Sequence, residues 1–474
     1  MKISSLTLTN FRGFAKRSFT FSDEFNVFIG DNATGKTAVL DALSIAVGSF
    51  LLGIEDTNSR NIHKNEIRIC QNLIGQTATF EKQMPVVVQA KGKFLDNTEI
   101  LKKNLVNEEG QEKLFENNVV SFHLQREISK LGGRTTRKDA SLIEKIAKTL
   151  QDCVRENTSN VNLPVLSYHG TGRLWLQKRS RDLETKRASS RMLGYKDCLD
   201  AESNEKELMR WFKKMELQSL QRQRQGKSDI GVLMALRGAI QRCLENCRSI
   251  YFDFDLDELV FEFDIDEPDT TFLPFRMLSD GQREIIGVVA DIAHRAAVLN
   301  PHLQENAPQE SEGVVLIDEI DLHLHPKWQR RVIADLRRTF PKIQFFVTTH
   351  SPFIIQSLLP EDCVIDLAEP EEHQRVSPEE YVSMSIEDIA EEPMGVEIPQ
   401  RSQRYQEMKE TAKRYYELIH QAKSSDKEEI ATIKRRLDEL SALYSDDPAY
   451  SAFLEMERVA AGLSSNSREK DDGR

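Results

Sequence analysis

Residues 30–37 read Gly30-Asp31-Asn32-Ala33-Thr34-Gly35-Lys36-Thr37 and fit the pattern GxxxxGK[ST]. The strand-like run Phe25–Ile29 comes before this stretch, and helical spacing follows from Thr37 to about Leu52. Backbone N–H groups of such a loop point inward and, with the helix N-terminus behind them, cradle a β-phosphate. Lys36 is expected to reach the β and γ oxygens, and Thr37 to ligate Mg²⁺. The candidate nucleotide-binding residues are therefore this stretch and Ala38, which follows it.

A second stretch supplies acidic groups. The apolar run Val314–Ile317 predicts a buried strand, and Asp318 and Glu319 follow directly at its end. In this position Asp318 is expected beside the metal and Glu319 is suited to polarise an attacking water. A buried strand that ends in acids is common, so the assignment depends on its pairing with the phosphate loop.

Two further segments are candidates for the same site. Leu278-Ser279-Asp280-Gly281-Gln282 stands at a helix start, where Ser279 is either a plain N-cap or a contact to nucleotide held by a second subunit. In the second case the Ser279 hydroxyl and the Gly281 N–H meet the γ-phosphate, with Gln282 beside them. His350 follows the predicted buried strand Ile343–Thr348, and it is either a structural histidine or a γ-phosphate sensor.

Together these segments resemble the ABC-type ATPase head found in SMC, RecF and OLD-like proteins. The stretches of this sequence that resemble the ATPase head are Met1–Leu52 and about Leu273–Leu358, and they occur in the same order as in those proteins. The resemblance implies an α/β P-loop ATPase head that takes ATP and Mg²⁺ and engages a second copy head to tail in an ATP-dependent dimer or larger homo-oligomer. Asn-Phe-Arg-Gly-Phe at 10–14 matches the N-terminal signature of these proteins, which makes Arg12 a candidate nucleotide contact.

The chain departs from that pattern in two places. The aspartate expected six residues after the catalytic glutamate is His325, which puts its usual contact across the dimer in doubt. His323 and His325 alternate as two metal ligands could, although two ligands rarely make a site. No Q-loop glutamine is identified: the strand Pro164–Tyr168 stands where that loop belongs, and Gln125 is an alternative.

The predicted organisation is an α/β head interrupted by a helical insertion and followed by an α-helical C-terminal region. Tyr251–Phe263 alternates between apolar and polar residues and predicts a two-stranded hairpin. The predicted segments are an N-terminal lobe at 1–175, an insertion at 176–248, a C-terminal lobe at 249–375, a helical partner-binding region at 376–463 and a disordered tail at 464–474.

Composition limits the protein class. The net charge of −12 is concentrated in residues 370–474, which hold 15 basic and 24 acidic residues, so the head is close to neutral. The six cysteines form no CxxC pair, which argues against a disulfide scaffold or a four-cysteine zinc site. No signal sequence or apolar run of about 18 residues is visible, so a cytoplasmic protein with no membrane contact is expected.

The predicted insertion at 176–248 is too short to be the long coiled-coil arm of an SMC protein. The text after His350 lacks the Glu-Gly and Asp-x-Asp of a Toprim nuclease and any HNH-type histidine cluster. The chain instead resembles the ATPase subunit of the Septu anti-phage systems. The shared segments are Tyr168-His169-Gly170-Thr171-Gly172-Arg173-Leu174-Trp175, Gly194-Tyr195-Lys196-Asp197-Cys198-Leu199, Ser385-Ile386-Glu387-Asp388-Ile389 and Asp447-Pro448-Ala449-Tyr450. This resemblance implies a partner HNH nuclease, self-assembly and degradation of nucleic acid. The alternatives are a RecF-like DNA repair clamp without a nuclease and a slow nucleotide sensor.

Two surfaces are candidates for partners. The segment Arg173–Arg191 holds seven basic residues against two acidic ones and would neutralise DNA phosphates, unless it is an ordinary solvated helix face. In the tail, Ser425 and Glu428 belong to a predicted capping box. The helix after it carries an apolar seam formed by Ile430, Ile433, Leu437, Leu440 and Tyr444. This seam faces either the tail's own helices or a basic nuclease partner.

Overall fold

The computed structural model describes residues 1–74, 77–105, 115–116, 119–157, 160–172, 190–200, 205–266, 269–382, 384–391, 394–395, 411 and 435–436. Met1–Met394 form one compact unit and Gly395–Arg474 a second, and the elements below belong to the first.

The strands are β1 (Lys2–Phe11), β2 (Phe14–Thr20), β3 (Phe25–Ile29), β4 (Ile69–Ile74), β5 (Thr77–Lys82), β6 (Val86–Phe94), β7 (Phe115–Glu116), β8 (Val119–Ile128), β9 (Val165–His169), β10 (Cys247–Asp253), β11 (Glu258–Asp266), β12 (Asp269–Pro274), β13 (Gly313–Ile317), β14 (Ile343–Thr348), β15 (Cys363–Asp366) and β16 (Arg375–Val376). The α-helices are α1 (Lys36–Val47), α2 (Thr98–Leu105), α3 (Ser141–Arg155), α4 (Glu205–Arg224), α5 (Gly231–Cys243), α6 (Asp280–Leu299), α7 (Ala307–Glu310), α8 (Pro326–Gln329), α9 (Val332–Thr339), α10 (Pro352–Gln356), α11 (Pro378–Val382) and α12 (Ile386–Glu391).

A six-stranded sheet in the order β16-β15-β3-β14-β13-β9 forms the centre. Its strands pair in parallel except at the β15–β16 edge. Every residue of β3, β13 and β14 is buried, as expected of largely apolar strands that are covered on both faces. The carboxyl ends of β3, β9, β13 and β14 therefore meet at one edge, where an α/β sheet carries its ligands. The predicted α/β P-loop head is confirmed.

A second, antiparallel sheet runs in the order β2-β1-β6-β8-β7. Strand β8 alternates between buried and more exposed positions, which is typical of a sheet with one face on the core. Helix α1 contacts β1, β6 and β8 of this sheet as well as β13 and β14 of the central sheet. Helix α1 is thus core to both sheets, which explains why eleven of its twelve residues are buried.

Within the part of the chain that the structure describes, one helical segment, Lys36–Gly53, is long and apolar enough to cross a membrane by length and composition alone. Of its most apolar window, 83% is buried inside the fold, as expected for a core helix.

The predicted two-stranded hairpin at Tyr251–Phe263 is confirmed, and a third strand that was not predicted extends it. Strands β10 and β11 pair as expected, and β12 adds a third strand, with Phe261 opposite Leu273. The local alternation could not show this, because the partner of the second edge of β11 lies downstream of the alternating run. The three strands form a separate antiparallel sheet.

The insertion predicted at 176–248 contains helices α4 and α5, but β10 begins at Cys247, two residues before the predicted lobe boundary at 249 and four before the predicted strand start at Tyr251. A short 3-10 helix, Arg191–Tyr195, was not predicted. Residues 173–189 and 201–204 lie outside the described residues, and with them most of the predicted DNA-binding segment Arg173–Arg191.

Helices α11 and α12, which follow the predicted boundary at residue 376, contact α10 and belong to the same compact unit as the head. Tyr381 is 6% exposed and Ile389 is fully buried. The predicted apolar seam from Ile430 to Tyr444 lies outside the described residues, and the division of the chain at 376 stays a prediction.

Candidate nucleotide site

The phosphate loop depends on two glycines with left-handed backbones. Gly30 has φ 128° and Gly35 has φ 104°, values that side-chain-bearing residues rarely adopt. A Cβ added to Gly35 would lie 2.7 Å from Cζ of Phe14, the last residue of the Asn-Phe-Arg-Gly-Phe stretch. The N-terminal signature therefore packs directly on the phosphate loop, and only glycine fits under the Phe14 ring.

Lys36 lies over the loop that precedes it. Its Nζ donates hydrogen bonds to the carbonyl oxygens of Gly30 at 2.7 Å and Asp31 at 2.9 Å. Burial lowers the pKa of Lys36, and the nearby carboxylates of Asp318 and Glu319 oppose that shift. The lysine side chain is thus held at the mouth of the loop, where a phosphate would meet it.

Thr37 joins the two halves of the site. Its Oγ1 donates a hydrogen bond of 2.9 Å to Oδ2 of Asp318, while Oγ1 of Thr348 donates one of 2.6 Å to Oδ1 of the same carboxylate. The hydroxyl of Thr348 also accepts from the backbone N–H of Glu319 at 2.7 Å. Asp318 is 4% exposed and Thr348 fully buried, so the carboxylate is fixed on both oxygens. Sequence reasoning missed Thr348, which closes the strand that precedes His350.

Glu319 stands at the turn that ends β13. Its φ of 49° is uncommon for a residue with a side chain, and Ile320 holds the turn by donating to the Thr348 carbonyl at 3.0 Å. Glu319 follows the buried strand and is only half-buried, whereas its neighbour Asp318 is buried. This geometry suits a group that must meet water.

Asp321 organises the loop that carries His350. Its Oδ1 accepts a hydrogen bond of 2.6 Å from Oγ1 of Thr349 and one of 3.3 Å from the backbone N–H of His350. The His350 side chain is exposed at the same sheet edge as Glu319. Asp321 was not predicted as a site residue, although its place three residues after Asp318 was a usable signal.

Helix α6 begins at Ser279. The backbone N–H of Gln282 donates to Ser279 Oγ at 3.3 Å, and Gln282 Oε1 accepts from the Ser279 backbone at 3.0 Å, which forms a capping box. The N-cap interpretation of Ser279 is therefore confirmed, and its contact to a second subunit stays a prediction. A Cβ on Gly281 would lie 2.6 Å from the His323 carbonyl, so Gly281 lets the first turn of α6 pack on the loop after Glu319.

The predicted nucleotide contact Arg12 lies beside helix α1. Its guanidinium forms an ion pair with Asp41, and it lies 3.7 Å from Oε1 of Glu66. Arg60 pairs with the same two carboxylates at 2.8 Å each. Arg12 is thus tied to the phosphate-loop helix one turn beyond Thr37, and its contact with nucleotide stays a prediction.

Strand β9 ends at the place expected for the Q-loop. The carbonyl of His169, its last residue, accepts a hydrogen bond of 2.8 Å from the Asp318 backbone N–H. The alternative Gln125 lies in β8 of the other sheet, where it exchanges side-chain hydrogen bonds with Gln89 and Glu127. Of the two predicted places, only the end of β9 adjoins Asp318.

The histidines of the loop after Glu319 have local contacts. Nδ1 of His325 accepts from the Lys327 backbone at 3.2 Å and so caps α8. Among the described residues, no group of three or more His, Cys, Asp or Glu side chains lies close enough together to hold a metal ion. The structure therefore gives no support for a metal site at His323 and His325. The hydroxyl of Thr37 and the carboxylate of Asp318 are hard oxygen donors that lie side by side, and such donors fit Mg²⁺.

Comparisons with known proteins identify the family of this chain and several relatives. The model of the AAA ATPase domain family matches residues 1–355. A curated relative, the Retron Vc95 probable ATPase of Vibrio cholerae, is 26% identical over 77% of this chain and 73% of its own length. The Septu protein PtuA of Bacillus mycoides is 40% identical over 20% of this chain and 13% of its own. A solved SMC head domain from Thermotoga maritima covers 77% of this chain and 94% of its own, with 12% identity and a TM-score of 0.35, a likeness too low to carry an argument.

Proposed function

The chain belongs to the AAA ATPase domain family, and on that premise we propose that it binds ATP with Mg²⁺ and hydrolyses it. The observation that carries the proposal is the 2.9 Å hydrogen bond between Thr37 and Asp318, which unites the phosphate loop with the acidic strand end. Without this hydrogen bond, the phosphate loop and the acidic strand end would be two separate motifs, each of a common type.

Each residue of the nucleotide site would have its own role in ATP binding or hydrolysis. Lys36 would exchange its two carbonyl partners for β and γ oxygens, which accept its protons more strongly because they are charged. Thr37 and Asp318 would hold Mg²⁺, which when bound neutralises charge on the phosphates. Glu319 would accept a proton from the attacking water, and His350 would donate to the γ-phosphate.

The proposed active unit contains two copies. Ser279 is exposed at the start of α6 and lies at an end of the helix that favours anions. In a head-to-tail dimer, the Ser279 hydroxyl of one copy would meet the γ-phosphate held by the partner, with Gly281 N–H and Gln282 beside it. ATP would thereby join the two copies.

The biological role we propose is that of an ATPase subunit in a bacterial anti-phage defence complex. Its support is the similarity to the Septu protein PtuA and to the retron ATPase, together with the sequence segments that resemble the Septu ATPase. In this role the chain assembles with itself and controls a separate HNH-type nuclease that acts on nucleic acid, in the cytoplasm. DNA would bind the basic segment Arg173–Arg191.

The test has two arms. ATP turnover by the purified chain, with and without DNA, tests the enzyme, and absence of turnover in both conditions favours a slow nucleotide sensor. Co-purification of a nuclease from the native host tests the role. DNA-stimulated turnover with no nuclease bound would favour a RecF-like clamp. Charge reversal of Arg179, Lys186 and Arg187 should weaken DNA binding and flatten its salt dependence if the basic segment is the contact.

A further inference from the structure

A partly buried polar cluster links strand β9 to helix α6. Ser167 Oγ donates a hydrogen bond of 2.6 Å to Oδ2 of Asp291, and Nε2 of His169 lies 3.0 Å from Ser167 Oγ and 3.6 Å from the same carboxylate oxygen. Nε of Arg295 donates to that oxygen at 2.8 Å. Three side chains, two from β9 and one from α6 itself, therefore converge on the Asp291 carboxylate of α6.

The cluster adjoins the nucleotide site through the backbone. The carbonyl of His169 accepts from Asp318 N–H, so the residue that contacts Asp291 by its side chain holds the metal-binding aspartate by its main chain. The preceding residue, Tyr168, donates a hydrogen bond of 3.3 Å to Asp41 on the phosphate-loop helix. The last two residues of β9 thus contact α1 on one side and α6 on the other.

Helix α6 is held against the site at two points along its length. At its first turn, Gly281 packs on the backbone of His323, in the loop after Glu319. About three turns later, Asp291 meets His169 and Ser167. Because a helix of this length is stiff, two fixed points determine where its N-terminal Ser279 lies relative to Asp318 and Glu319.

We infer that the contact of His169 with Asp291 positions α6, and so sets where Ser279 is presented to nucleotide bound by a second copy. His169 and Asp291 are positioning residues in this account, since neither touches the phosphates. The inference rests on the proposed function, because it needs an ATPase whose site is completed by Ser279. It predicts that loss of the contact spares ATP binding and slows turnover.

The test uses the full chain with His169→Ala and Asp291→Asn. ATP binding is expected to stay within about three-fold of wild type, because Lys36 and the phosphate loop are unchanged, while kcat falls about ten-fold, a typical coupling between linked sites. His169→Gln, which retains a hydrogen-bonding side chain, should recover part of kcat. His302→Ala is the matched control, because His302 is an exposed histidine that contacts Asn162.

A second readout separates positioning from stability. Amide hydrogen exchange across residues 280–291 should slow when a non-hydrolysable ATP analogue binds the wild type, and this protection should be lost in His169→Ala while protection of the phosphate loop remains. Unchanged kcat and unchanged protection in both variants would overturn the inference. So would a parallel loss of binding, turnover and melting temperature, since that pattern means a merely structural role. Absence of turnover by the wild type would instead count against the proposed function.

Discussion

Thr37 and Asp318 lie 281 positions apart in the chain, and their side chains are joined by a hydrogen bond of 2.9 Å. The bond places the first residue after the phosphate-loop lysine on the carboxylate that ends β13. Because Thr348 of β14 donates to the other oxygen of that carboxylate, two strands and a helix fix the point where we propose that Mg²⁺ binds. The following predictions test what this arrangement does.

Lys36→Ala is expected to abolish detectable ATP binding. The variant loses about two charge-assisted hydrogen bonds to phosphate, each worth about 1.5 kcal/mol or more, which weakens binding by at least about 100-fold. Titration with a fluorescent ATP analogue measures the affinity. Lys64→Ala, at an exposed lysine, is the control and should bind normally. Normal affinity in Lys36→Ala would remove the phosphate-loop assignment.

Glu319→Gln should bind ATP normally and hydrolyse it at least about 100-fold more slowly, because an amide cannot accept the proton of the attacking water. Phosphate release under saturating ATP measures the rate. Glu310→Gln is the control, since Glu310 contacts Lys342 on the surface. If Glu319→Gln turns over at the wild-type rate, the general base is another group.

Ser279→Arg should leave ATP binding by the single chain intact and block assembly and turnover. The long cation occupies the place where the partner's nucleotide must approach, while Lys36 of the same chain is unaffected. Light scattering with ATP, and turnover per chain across a dilution series, measure the effect. Turnover per wild-type chain that is constant on dilution to well below the assembly range would argue against a shared site.

Stability should fall in mild acid because of His294, which packs edge-on against Trp211. Burial, aided by Arg295, lowers the pKa of His294 to about 4. Above pH 6.5 the histidine is neutral in both states, and between about pH 6.5 and 4 only the unfolded chain takes up the proton. The free energy of unfolding therefore drops by up to about 3 kcal/mol over this range. Denaturant unfolding at pH 7.5, 6 and 5 measures it, and His294→Gln should lose this part of the slope. An identical slope in both proteins would contradict the prediction.

Removal of residues 395–474 should spare ATP binding and lose the nuclease partner. The cut is placed after Met394 rather than at residue 376, because Tyr381 and Ile389 are buried in the head unit. The removed residues hold 14 basic and 16 acidic side chains, so their charge is nearly balanced, and what they would offer a partner is the predicted apolar seam from Ile430 to Tyr444. Pull-down of the nuclease measures the effect, with ATP binding as the control for folding. Retention of the partner would move the docking surface to the head, most directly to the 176–248 insertion.

Much of the nucleotide site was predictable because its parts are contiguous. Strands β3 and β14 begin and end at the predicted residues, since short and largely apolar runs of five or six residues admit few other structures in an α/β protein. The third strand β12 was missed because pairing is set by the partner, and the local alternation of 251–263 is satisfied equally by two strands or three. Asp321 was passed over because its role is to accept hydrogen bonds from the Thr349 hydroxyl and the His350 backbone N–H, in a loop 28 residues away.

The sequence by itself determined the phosphate loop, the acidic strand end and the α/β class, because these depend on local backbone geometry and on unbroken apolar runs. Only the tertiary structure decided which side chains act together. It placed Phe14 on Gly35, tied Arg12 to Asp41, and brought Asp291 to His169 across 122 positions. These contacts rest on how two sheets and helix α6 pack around α1. Residues far apart in the chain can adjoin in many ways, and only the shared core selects one of them.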